Sequence, residues 1–492
     1  LKTTQVNALT STQVGALTAS QVGALGSAQV AALTTDNVAG LSTTQVAALS
    51  SKSVVGLTTA QVGALGSDNV AALTTAQVGA LNAAQIGALS SAEIAGLSTA
   101  DIAAIGTAAL TGLSAANVAV LSSDQAAALT TAQVGALKTA QVNALTSTQV
   151  GALSASQVGA LGSAQVAALT TDNVAGLSTT QVAALSSKSV VGLTTAQVGA
   201  LSSTQVEALS PVLIGSLNSA QIGALSSADI ASFSTADIAA ITLTALAGLS
   251  TANVAVLSSD QTAALTTAQV GALKTTQVNA LTSTQVGALS TSQVGALGSA
   301  QVAALTTDNV AGLSTTQVAA LSSKSVVGLT TAQVGALGSD NVAALTTAQV
   351  GALNSAQIGA LSSAEIAGLS TADIAAIGTA ALTGLSAANV AVLSSDQAAA
   401  LTTAQVGALK TAQVNALTST QVGALSASQV GALGSAQVAA LTTDNVAGLS
   451  TTQVAALSSK SVVGLTTAQV GALSSTQVEA LSPVLIGSLN SA

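Results

Sequence analysis

A large apolar residue stands at every eighth position of this chain without a slip. Counting Leu1 as position 1, the series runs Leu9, Leu17, Leu25, Leu33 and onward through 61 octads, followed by the four residues Leu489 to Ala492. The only departures from Leu are Ile105, Phe233, Ile241 and Ile377, all of them large and apolar. No insertion interrupts the register, so every octad must build the same small unit and bury its large residue against copies of itself. Irregular loops, where binding and catalytic groups usually sit, have no room in such a pattern. A longer period lies above the short one. "LKT" begins at Leu1, Leu137, Leu273 and Leu409, which divides the chain into blocks 1–136, 137–272, 273–408 and a partial 409–492. Pro211 and Pro483, both in "LSPVLIGSL", are 272 residues apart, two blocks of 136. These blocks read as units of duplication within one continuous array, 1–492, and the mid-repeat ends read as those of an excerpt from a longer protein.

The octad has the consensus Leu, Ser/Thr, Ser/Thr, x, Gln, Val, Gly/Ala, Ala. Position 2 draws on Ser, Thr, Gly and Asn, the preferred N-cap residues, with Lys as the exception. Position 5 is most often Gln, otherwise mainly Asn, Asp or Glu, which completes a capping box with position 2. Leu at position 1 and Val or Ile at position 6 are then N′ and N4, the two partners of a hydrophobic staple. Both prolines fall at position 3, the first helical residue, where Pro is tolerated. Acids such as Asp36, Asp68, Asp124, Glu93 and Asp101 fall at positions 4 and 5, in the first turn, where the helix dipole favours negative charge. The spacing predicts an all-α solenoid of very short capped helices, one of about two turns over positions 3–8 of each octad. Such a helix is unstable alone and must be held by its neighbours. Small residues at positions 7 and 8 let backbones approach. The alternative is a β-solenoid, since Ser, Thr and Val favour strands, but it gives no reason for the caps, the staple or the prolines.

Composition narrows the function. Apolar residues make up 49% of the chain and charged residues only 5%, which sets it apart from disordered chains. There is no Cys, Met, Trp, Tyr or His, and the net charge of −9 includes only 8 basic residues, all Lys. Nucleic-acid binding needs basic patches, and single strands usually add aromatic platforms; neither is present. Disulfides and thiolate metal sites are excluded. Ser, Thr, Gln or Asn interrupts every apolar run, so no transmembrane segment is expected.

Few residues invite chemistry. The lysines recur at fixed places, Lys2, Lys138, Lys274 and Lys410 at position 2 and Lys52, Lys188, Lys324 and Lys460 at position 4, as surface decoration would. Carboxylates come in pairs one octad apart, Glu93 with Asp101, Asp229 with Asp237 and Glu365 with Asp373. The pairs could meet on stacked helices as an acid–base couple or a weak cation site, but their place in the capping box assigns them to helix caps. No catalytic, cofactor-binding or metal-binding residue is therefore expected, no cofactor is implied, and the chain reads as a non-enzyme.

"LTTAQVGAL" resembles the first helix of TAL-effector repeats. Because the 34-residue period and base-reading loop of that family are missing, DNA reading is not implied. Across its whole length the array resembles low-complexity octapeptide repeats of very large secreted or surface bacterial proteins, adhesin-like ones included. That resemblance implies an extracellular or cell-surface structural protein: a spacer, stalk or self-associating filament or sheath, with further copies of itself as partner. The alternative is a repetitive Ser/Thr surface that binds a periodic partner such as ice or a polysaccharide.

Overall fold

A computed structural model describes residues 1–489; the last three residues of the sequence, which belong to its final incomplete octad, lie outside the described residues. The described residues form 61 helices, from Thr3–Asn7 to Pro483–Leu489, one beginning at position 3 of each octad and running four to seven residues. No strand occurs among the described residues, which overturns the β-solenoid alternative. The reason is local. In the octad of Thr131–Ala136, the Gln133 N–H donates to Thr130 Oγ1 at 3.2 Å, and the Thr130 N–H donates to Gln133 Oε1 at 2.7 Å. This reciprocal pair satisfies two amides that a helix start leaves open. Pro211 and Pro483 each open a helix as its first residue. Helices end at or shortly before the next Leu: Leu137 has φ −58° and ψ 138°, while its N–H still reaches the Val134 carbonyl at 3.2 Å.

The helices coil. Each packs mainly against the third helix along, as Ala19–Gly23 does against Thr43–Ala48 and Thr75–Ala80 does against Thr99–Ala104. The Leu of position 1 and the Val or Ile of position 6 fill the interior, with the staple partners Leu129 and Val134 both buried. Burying each such side chain contributes about 1.5–3 kcal/mol. Small residues permit the closeness of the turns. A Cβ on Gly192, at position 8, would stand 2.1 Å from the Ser163 carbonyl oxygen. The chain forms two compact units, Leu1–Leu249 and Ser250–Ala492, each built in this way. Their border falls between a position-1 Leu and its N-cap Ser, away from the duplication joins at residues 137 and 273.

Candidate functional site

The most regular polar feature is a ladder buried inside the coil. The side chain of position 5 caps its own helix through its carbonyl oxygen and then reaches back one turn with its amide. Gln133 Nε2 donates to the Ile105 carbonyl at 2.7 Å and the Ile102 carbonyl at 2.8 Å, 28 and 31 residues earlier. Gln45 does the same with Leu17 and Val14, Gln221 with Leu193 and Val190, Gln349 with Leu321 and Val318, and Gln477 with Leu449 and Val446. The 28-residue step equals three and a half octads, so a turn of the coil brings each position 5 over the place where an earlier helix ends. Carbonyls at helix C-termini lack intrahelical donors, and here the amide supplies one. Asn is shorter and makes only the nearer contact, as Asn117 does with Leu89 at 3.0 Å. Ser53 does so through its hydroxyl, with Leu25 at 2.5 Å.

The carboxylates fall on this ladder. Glu93 Oε2 accepts from the Ser90 N–H at 2.7 Å and from Ser90 Oγ at 2.9 Å. Asp101 takes the corresponding pair from Ser98, Asp229 from Ser226 and Asp237 from Ser234. Glu365 and Asp373 cap through the N–H of Ser362 and Ser370. The members of a pair share no hydrogen-bond partner, because consecutive octads occupy different rungs and stacking joins helices three octads apart; each acid caps its own helix and the possible acid–base couple is not formed. The second oxygen of Asp229 accepts from Ser203, and that of Asp373 from Thr347, both 26 residues earlier and at 2.9 Å. At Asp237 the residue 26 positions back is Pro211, which has no hydroxyl. Asp237 Oδ1 is the one buried side-chain polar atom among the described residues with no partner.

The other singled-out residues lie outside this interior. Lys138 occupies an N-cap and offers no side-chain cap, so only its N–H joins Gln141. Lys52 is exposed on Ser51–Val54. Position-2 hydroxyls are engaged in caps, Ser210 before Pro211 excepted, which leaves positions 3 and 4 as the exposed polar rows. No described helix is long and apolar enough to cross a membrane.

Sequence reasoning found the capping half of position 5 and missed the ladder half. A signal was present. Capping alone is served by Glu as well as by Gln, and the helix dipole prefers Glu there. The dominance of Gln marks a need for the amide hydrogens.

Comparison with curated proteins found no match. The family model described as the ALTTAQ repeat matches the chain in successive overlapping segments that together span residues 1–211 and 230–483. The chain therefore belongs to the ALTTAQ repeat family.

Proposed function

We propose that this array is an extracellular structural spacer, a stalk or filament body whose length is set by the number of octads. One observation carries the reading: the same rung recurs from Gln45 to Gln221 in one unit and from Gln285 to Gln477 in the other, and no loop is inserted between octads. Nearest-neighbour stacking of this kind adds stability and length turn by turn. The exposed rows of Ser and Thr carry little charge, and such surfaces associate readily, so side-by-side contact between copies follows as the mode of assembly. The reading gives the array no catalytic role. Binding of ice or a polysaccharide by whole ranks of hydroxyls is weaker, because the position-2 hydroxyls are taken by caps. Small-angle scattering tests the proposal. Deleting residues 137–272 should shorten the longest dimension in proportion to the residues removed, and sedimentation should show association rising with concentration. An unchanged longest dimension would refute the spacer, and a strictly monomeric chain at high concentration would refute the assembly.

A further inference from the structure

The exposed charges of the array are sorted around the coil. Backbones of neighbouring turns meet between residues 25 and 29 apart: a Cβ on Gly23 would strike the Ala48 carbonyl oxygen, and one on Gly56 the Ser27 carbonyl oxygen. The bonds between turns fall in the same range, 26 residues from Ser203 to Asp229 and 28 from Ile105 to Gln133. One turn therefore takes about 27 residues, and residues 14 to 16 apart stand on nearly opposite sides. In Leu1–Leu249, Lys52 is 16 residues from both Asp36 and Asp68, Lys138 is 14 from Asp124, and Lys188 is 16 from Asp172. In Ser250–Ala492, Lys324 is 16 from both Asp308 and Asp340, Lys410 is 14 from Asp396, and Lys460 is 16 from Asp444. All of these side chains are exposed. No lysine of either unit has an exposed acid 25 to 29 residues away, which is one turn above or below it. Like charges do recur at whole turns: Asp68 and Asp124 are 56 residues apart, close to two turns. Six of the 17 acids are buried on the ladder and face no neighbour, which leaves eleven on the surface against 8 lysines. Each unit thus carries a lysine edge and, across the coil, a carboxylate edge. Lys52 and Asp36 cannot reach each other through the apolar interior that separates them.

We propose that these edges are the two halves of one interface, and that the lysine edge of one copy of this chain packs along the carboxylate edge of a second copy. The inference rests on the assembly reading above and specifies its contact. Facing edges of opposite sign attract, and like edges repel, so the charges select one way for two copies to meet. Lys52 lies midway in sequence between Asp36 and Asp68, so a parallel neighbour in register meets it with both carboxylates. A single exposed ion pair is weak. A row of them along one edge acts together, because the first contact holds the next within reach. The two edges differ and lie on opposite sides, so the contact is heterologous. A copy whose lysine edge is filled still offers its carboxylate edge, and association continues sideways instead of closing at a dimer.

Sedimentation of the full chain at about 0.02 and 0.5 M sodium chloride tests it, because screening differs several-fold between them. Association should be at least fivefold weaker at the higher salt and should pass beyond the dimer at the lower. Two charge-reversed chains sharpen the test. One carries Lys52→Asp, Lys188→Asp, Lys324→Asp and Lys460→Asp; the other carries Asp36→Lys, Asp172→Lys, Asp308→Lys and Asp444→Lys. All eight residues are exposed at position 4, which holds both Lys and Asp in this array, so helical circular dichroism should be kept. Each variant alone should associate at least fivefold more weakly than the parent. An equimolar mixture should regain association, because the reversed lysine edge of one then faces the reversed carboxylate edge of the other. Association that ignores both salt and charge reversal, or that stops at a dimer, would overturn this interface and leave the assembly reading standing. A parent chain that stays monomeric at low salt would overturn both.

Discussion

The rungs at Gln133 and Asp237 occupy the same place in the octad and differ in one respect. Each caps its own helix through one oxygen, with Thr130 N–H at 2.7 Å and Ser234 N–H at 2.9 Å. Gln133 then donates to two carbonyls of the preceding turn, whereas Asp237 presents a second oxygen, and Pro211 withholds the hydroxyl that satisfies it at Asp229. Cap and ladder are thus separable. The cap specifies the helix and needs only an acceptor, while the ladder ties turns together and needs a donor. Acids can serve the first role and not the second, which explains why the octads tolerate them at intervals without being built from them.

The largest break should come from below the ladder. Val134→Asp, Val142→Asp and Val150→Asp together place unpaired carboxylates at fully buried positions. Each should cost on the order of 3 kcal/mol or more and unfold the surrounding turns, read as lost helical circular dichroism and rapid amide exchange; retained helicity would contradict the packing. Next comes the closeness of turns. Gly192→Ala, with its Cβ 2.1 Å from the Ser163 oxygen, should cost ~1–3 kcal/mol in a denaturant melt. Gly151→Ala, with nothing within 4 Å, should instead stabilise the helix by ~0.5–1 kcal/mol. Gln133→Glu keeps the cap and removes the donor, and should cost ~1–3 kcal/mol, with faster exchange between turns and little change within the helix. A cost equal to that of Gln133→Ala, which removes both contacts, would mean that the ladder carries the whole contribution and the cap none, and no cost at all would refute the ladder. A small gain should come from the reverse change. Asp237→Asn should gain ~1 kcal/mol, because Asn at this position elsewhere donates to the Leu 28 residues back, as Asn173 does to Leu145 at 3.1 Å. No gain in melting temperature would show that the second oxygen of Asp237 is already satisfied by water.

Much of the local fold was legible. Ser or Thr at position 2 with Gln at position 5, Leu and Val as staple partners and Pro211 and Pro483 at the first helical residue together specify where each helix begins. All of these act within one octad, between atoms brought together by chain connectivity alone. The backbone of individual caps was not legible in this way. Gly26 and Gly66 both follow Leu and precede Ser, yet Gly26 sits at φ −82° with its N–H on Gln29 Oε1 and Gly66 at φ 76° without that contact. The difference depends on the reach of Gln against Asn, and on Thr43 in the neighbouring turn.

By itself, then, the sequence determined one capped helix per octad, an interior aliphatic but for Phe233 and the absence of any aromatic or clustered basic binding surface, because capping and hydrophobic patterning are short-range. The tertiary structure decided the three-and-a-half-octad return that sets Gln133 over Ile105 and the left-handed conformation of Gly66 and Gly338. The return is set by how closely backbones approach at positions 7 and 8 and how far a Gln side chain extends. Both are distances between residues some 28 apart in sequence, and an eight-residue period carries no record of them.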